Sequence, residues 1–195
     1  MKQIHSFDEL RQIKDTKVYA LGTFDGIHRG HQRVIRKAVE EAASVNGVSI
    51  IITFEDHPLT ILHPERVPKR LIQEDIMNTV IESLQVDYIL RLPMTEALLN
   101  MRADEFLDAL CKDTNVEAIV VGENFTFGAK GLGNPEYMKQ VLADKAIQVL
   151  VQPLLPCDGL STPISSTEIR KAIREGRLED ATHWLGRPFQ FKGTV

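Results

Sequence analysis

Two hydrophobic patterns alternate along the chain. Five short runs rich in Val, Ile and Leu, near residues 17–22, 48–54, 86–91, 116–121 and 146–152, have no polar face and predict strands covered on both sides. The segments between them repeat apolar positions every three to four residues. They predict helices over about 31–46, 73–84, 102–112, 134–143, 166–175 and 178–184. In the first of these, Val34, Ile35, Ala38, Val39, Ala42 and Ala43 share one stripe with charges opposite, and Gly47 predicts the stop. This alternation predicts an α/β fold, an open parallel sheet of about five strands with helices on both faces.

Three stretches fit neither pattern, and 55–72, 122–133 and 153–165 therefore predict loops. Each follows a predicted strand. In an open parallel sheet, loops at the carboxyl ends of strands surround the ligand crevice. Loops of this length in a compact domain tend to carry function.

Composition narrows the possibilities. A length of 195 residues fits one domain with at most a short appendage, and 43% hydrophobic residues supply a core. A net charge of −4 argues against a general nucleic-acid or membrane-surface binder, which shows a basic excess. Basic residues cluster only locally, at Arg33, Arg36 and Lys37, at Lys69 and Arg70, and at Arg170, Lys171 and Arg174. The two cysteines form no CxxC pair, so a zinc or disulfide framework is not expected, and Cys111 reads as a buried core thiol. The opening MKQIHSFDELRQIKD is polar and charged, with no signal peptide or spanning segment, which predicts a cytoplasmic protein.

Candidate chemistry starts at residues 21–32, LGTFDGIHRGHQ. A buried strand ends at Gly22, a turn with Asp25 and Gly26 follows, and a helix opens near His31. His28 and His31 thus sit where a strand hands over to a helix N-terminus, which presents unpaired N–H groups and the positive dipole end to phosphate. Gly30 permits close approach of the backbone, and imidazoles donate to phosphate oxygens. A polar pair on an exposed helix start is the plainer reading. Asp25 reads as a brace of its turn rather than a metal ligand.

A second helix start lies in PISSTEIRKAIREG, residues 163–176. Ser165 and Glu168 have capping-box spacing, which alone predicts only a well-capped helix. The cations Arg170, Lys171 and Arg174 fall in the first half of that short predicted helix, where the dipole disfavours them. A bound anion relieves the conflict, and Ser166, Thr167 and Arg170 are suitable phosphate donors.

The two segments together carry a family resemblance. GTFDGIHRGH and ISSTEIR resemble the HxGH and ISSTxIR motifs of the nucleotidylyltransferase superfamily. With TFEDHP, KRL, VDYILRLP and VVGENFTFG between them, in this order, the chain resembles the adenylylating module of bacterial FAD synthetases from about Val18 to Val195. The resemblance implies a Rossmann-like fold and transfer of AMP from ATP to FMN, giving FAD and pyrophosphate. It implies catalytic roles for His28, His31, Arg170 and Asn124, and ATP contacts at Gly22, Phe24, Gly30, Ser165, Ser166 and Thr167. It assigns Phe54, His57, Pro58, Phe125, Phe127 and Gly128 to the FMN side. Magnesium is expected to arrive with ATP, held mainly by its phosphates, with no protein ligand assigned. Expected partners are ATP and FMN, with neither nucleic acid nor membrane.

Relatives of this kind continue into a riboflavin kinase barrel, and GRPFQFKGTV resembles its first strand. The expected division is therefore 1–186 for the adenylyltransferase and 187–195 for the start of an incomplete barrel, without riboflavin kinase activity. Asp56 stands where many relatives have proline, which puts the shape of the flavin loop in question. Two other readings stay open: a nucleotidylyltransferase with another acceptor, such as phosphopantetheine or nicotinamide mononucleotide, and a non-catalytic flavin- or nucleotide-binding module.

Overall fold

A computed structural model of the chain describes residues 1–112, 114–158 and 161–193. In order, the elements are β1 (Lys2–Ile4), α1 (Phe7–Gln12), β2 (Lys17–Leu21), α2 (Arg29–Ser44), β3 (Val48–Phe54), α3 (Leu59–Leu62), α4 (Glu74–Ser83), β4 (Tyr88–Leu92), α5 (Glu96–Asn100), α6 (Ala103–Cys111), β5 (Val116–Gly122), α7 (Pro135–Leu142), β6 (Gln148–Gln152), α8 (Ser166–Arg174) and α9 (Leu178–Leu185). The strands make one sheet in the order β1-β4-β3-β2-β5-β6, parallel at every pairing.

The apolar strands divide their side chains between two layers, as a period of two requires. Tyr19, Leu21, Ile50 and Ile52 face Phe106, Leu107 and Leu110 of α6 and Met138 and Leu142 of α7. Val18, Ala20 and Ile51 face Val34, Ile35, Ala38 and Ala42 of α2. A third cluster joins Ile169 and Ala172 of α8 to Ala181, Trp184 and Leu185 of α9, with Leu71 and Ile164 beside them. That cluster fixes the second motif against the rest of the molecule.

The sheet has six strands rather than about five. The extra one, β1, is only three residues long, pairs with β4 alone and buries only Ile4, so its sequence carries no hydrophobic run. Helix α1 is likewise short, capped by Ser6, which accepts the Glu9 N–H. The expected loop 55–72 contains α3 and a 3-10 turn at Pro64–Arg66, and 122–133 contains a 3-10 turn at Ala129–Gly131. Gly47 does not take the left-handed turn after α2. Asn46 does, at φ 50°. The Gly47 N–H closes the helix onto the Ala42 carbonyl at 2.8 Å, and a side chain there would meet the Thr16 carbonyl.

Strand order reverses between β2 and β5, whose neighbours continue in opposite directions, and such a switch point opens a crevice at the carboxyl ends of the strands. The segments following β2, β3, β5 and β6 all leave from that edge. Residues 187–193 have no regular secondary structure, and Arg187 reaches back to the first motif, donating from Nη2 to the Gly26 carbonyl at 2.6 Å and from Nη1 to the Ile27 carbonyl at 3.1 Å. Among the described residues, no helix is long and apolar enough to cross a membrane.

Candidate active site

The first motif is a tight loop held open by packing. Phe24 and Ile27 are buried with φ of 48° and 42°, left-handed values that cost a residue with a side chain, most of all β-branched Ile27. Phe24 lays its ring over Gly22, where an added Cβ would come within 2.9 Å of it. Gln32 and Arg187 both donate to the Ile27 carbonyl. The strained loop is thereby fixed from the helix and from the chain's last described segment.

His28 is the N-cap of α2. Its Nδ1 accepts the His31 N–H at 3.3 Å, and the two rings stack with centroids 3.6 Å apart. The Phe24 ring meets His31 edge-on at 5.4 Å. Burial, and secondarily Arg187, pushes the His28 pKa down to about 4. Burial and then His28 hold His31 well below the ordinary 6.5. Both imidazoles are therefore neutral at pH 7. His31 Nδ1 is buried with no hydrogen-bond partner among the described residues, an orphan that invites a ligand.

The second motif begins at Ser165, whose Oγ accepts the Glu168 N–H at 3.2 Å. Ser166 Oγ donates to the Asp25 carbonyl at 2.9 Å, which ties the two motifs together. Arg170 pairs with the Asp25 carboxylate and donates from Nε to the Lys69 carbonyl at 2.7 Å. Helix α8 ends at Arg174, so Lys171 and Arg174 lie in its last turn, where the dipole favours cations. The expected charge conflict thus reduces to Arg170 alone.

These pieces surround a cleft of about 390 Å³. Gly22, Phe24, His28, Gly30, His31, Phe54, His57, Pro58, Asn124, Phe125, Ser165 and Ser166 all line it, so both motifs share one cavity. Thr167 and Arg170 line a second pocket of about 260 Å³, with Asp56 and Arg70, and the two pockets share Thr23, Phe54, His57 and Ser166. Phe127 and Gly128 stand behind the wall. Phe127 is in the core against Phe106 and Tyr137, with Phe125 stacked outside it, and Gly128, at φ 72°, abuts the Ala103 backbone. His57 Nδ1 accepts the Leu59 N–H at 3.1 Å, so this histidine shapes its loop while its ring also lines both pockets. Burial, and then the charge on Arg170, lowers its pKa. Asp56 pairs with Arg70 at 2.7 Å on the surface.

Sequence reasoning missed Gln152 and Leu155, which line the cleft beyond β6, and the two loop clamps Gln32 and Arg187. A glutamine on the buried face of an otherwise apolar helix was the available signal for Gln32. Among the described residues, no three His, Cys, Asp or Glu side chains converge on a metal position.

The family model for FAD synthetase matches residues 10–168. The chain belongs to the FAD synthetase family. The match to the FAD synthetase model reaches both histidines and ends inside α8, two residues before Arg170. Similarity to individual relatives runs further. The chain is 35% identical over 200 residues to the bifunctional riboflavin kinase/FMN adenylyltransferase of Bacillus subtilis (strain 168) and 32% identical over 197 residues to that of Buchnera aphidicola subsp. Schizaphis graminum (strain Sg). In both cases all of this chain and 62% of the relative are covered, so the chain spans under two thirds of their length. Among solved structures, one described as a macrolide-efflux protein from Streptococcus pneumoniae superposes with a TM-score of 0.83 at 27% identity, over 96% of this chain and 70% of that one. Pantoate-β-alanine ligase from Francisella tularensis shares the fold at a TM-score of 0.56 and 18% identity, over 95% and 85% of the two chains.

Proposed function

We propose that these 195 residues join FMN to the AMP moiety of ATP, giving FAD and pyrophosphate. One observation carries the reading: His28, His31, Ser165 and Ser166 line a single cleft that shares Thr23, Phe54, His57 and Ser166 with a second pocket. The cleft takes ATP and the adjoining space takes the acceptor phosphate. A phosphate oxygen of FMN attacks the α-phosphorus, the new P–O bond forms, the bond to the β-phosphate bridging oxygen breaks, and pyrophosphate leaves with the electron pair.

A phosphate monoester has its second pKa at about 6 and is largely dianionic at neutral pH, so no general base is needed. The protein's task is alignment and charge stabilisation. His28, with Nδ1 committed to the helix cap, offers Nε2–H as a donor, and neutral His31 offers a second. The α2 N-terminus adds backbone N–H groups and its dipole. Phe54 and His57 stand between ATP and the acceptor, with Pro58 and Phe125 beside them on the cleft wall. Asn124, Ser165 and Ser166 flank the phosphates in the cleft, while Thr167 and Arg170 meet the acceptor side. Magnesium carried in with ATP would supply charge neutralisation at the phosphates. The chain works in the cytoplasm.

Incubation with FMN and MgATP, followed by chromatography, tests the reading. FAD and pyrophosphate are expected in equal amounts. Absence of FAD, or formation of adenylylated phosphopantetheine or nicotinamide mononucleotide instead, overturns it.

A further inference from the structure

We infer that Asp25 is a positioning residue for Arg170, fixing the guanidinium so that its Nη1 edge is presented to a substrate phosphate; the inference rests on the adenylyl-transfer reading above. Asp25 joins three segments at once. Its Oδ1 accepts the Leu71 N–H at 2.9 Å, its carbonyl accepts the Ser166 hydroxyl at 2.9 Å, and its Oδ2 accepts Arg170 Nη2. Arg170 Nε is held by the Lys69 carbonyl at 2.7 Å. Two donor positions of the guanidinium are thus anchored to two different loops. Nη1 makes no hydrogen bond among the described residues, and the side chain lines the acceptor-side pocket.

The physics favours such an arrangement. A free arginine carries rotamer entropy along its whole stem, which must be lost when it engages a phosphate. An anchored plane has lost that freedom before substrate arrives. The side chains are 19% and 23% exposed, so water screens the pair less than it would at the surface. The carboxylate also compensates the cation while the pocket is empty. A phosphate reaching Nη1 adds a contact without breaking either anchor.

Steady-state FAD formation is compared for the wild type, Asp25→Asn, Arg170→Gln and the double variant. Asparagine keeps an oxygen for the Leu71 N–H and puts an uncharged N–H donor where Oδ2 accepted Arg170 Nη2, so that anchor is lost. We expect Asp25→Asn to lower kcat about 10²-fold, the scale of a misplaced catalytic group. KM for ATP and FMN should stay within about three-fold, and the double variant should be no slower than Arg170→Gln. A merely structural brace would instead lower the melting temperature and multiply with Arg170→Gln. Should Asp25→Asn lose its cooperative melt, Asp25→Glu, which keeps the charge but moves it, takes its place, and unchanged kcat there overturns the inference. An active wild type with Asp25→Asn turnover within about three-fold overturns this inference alone. A wild type that forms no FAD overturns the proposed function with it.

Discussion

His28 and His31 are coupled twice, by a 3.3 Å hydrogen bond from the His31 backbone to His28 Nδ1 and by rings stacked at 3.6 Å. The bond fixes one imidazole as the Nε2–H tautomer and makes it part of the helix cap. The helix cap and the proposed phosphate contact therefore meet in one side chain, and they can be separated by substitution.

His31→Ala is expected to reduce kcat about 10²–10³-fold, the usual loss on removing one preorganised donor. His28→Ala should do the same and also cost about 1 kcal/mol of stability through the lost cap. His28→Asn restores a capping oxygen without the Nε2–H donor, so it should melt like the wild type and turn over slowly. Thermal melts beside FAD assays check the separation. A His28→Asn protein with normal turnover would remove this histidine from the mechanism.

Stability should depend on pH through the same pair. The folded pKa of His28 is about 4 and that of the unfolded chain is near the ordinary 6.5. Between these values the unfolded chain takes up a proton that the folded chain refuses, so the contribution is full above 6.5 and is lost as pH falls toward 4. For His28 alone the loss approaches about 3 kcal/mol, and His31 acts with the same sign. Urea midpoints at pH 7 and 4.5 should differ more for the wild type than for His28→Asn. Equal differences would refute the buried neutral state.

Gly30→Ala should dissociate activity from stability. A Cβ at this position would stand 3.1 Å from His28 Cε1 and push the ring, while alanine inside a helix adds about 0.8–1 kcal/mol over glycine. A melting temperature at or above that of the wild type, with kcat lowered about ten-fold or more, is expected. Unimpaired turnover would show that the ring has room to move.

Gly47→Ala should do the reverse. Its Cβ would lie 2.3 Å from the Thr16 carbonyl oxygen, which belongs to the backbone leading into β2 and cannot swing aside. A loss of roughly 1–3 kcal/mol is expected, the range for overpacked sites, with normal kcat per folded molecule. Chemical denaturation with active-site titration measures both.

The sheet and the two helix starts that share the cleft were legible because each leaves a strong local trace. Buried parallel strands such as Ile50–Ile52 show uninterrupted apolar runs, and glycine with histidine at a strand–helix junction is a compact signal. What escaped the sequence was of two kinds. Elements stabilised by a single long-range partner, such as β1 against β4, are too short to show periodicity. Side chains that act across the fold, such as Arg187 on the Gly26 carbonyl or Asp25 on Arg170, lie 145 to 161 residues from their partners and leave no spacing to read. Which ring of the Phe125–Phe127 pair faces the cleft was hidden for a related reason. An alternating Phe-Thr-Phe exposes one ring or the other depending on the turn at Gly128, and here the outer one is Phe125.

Arg187 gives the molecule a mechanical link. The segment after α9 grips the carbonyls of the loop that precedes the histidines, so that loop moves only if Arg187 moves with it or gives up its hydrogen bonds. One side chain thus spans the distance between the loop before the histidines and the segment after α9.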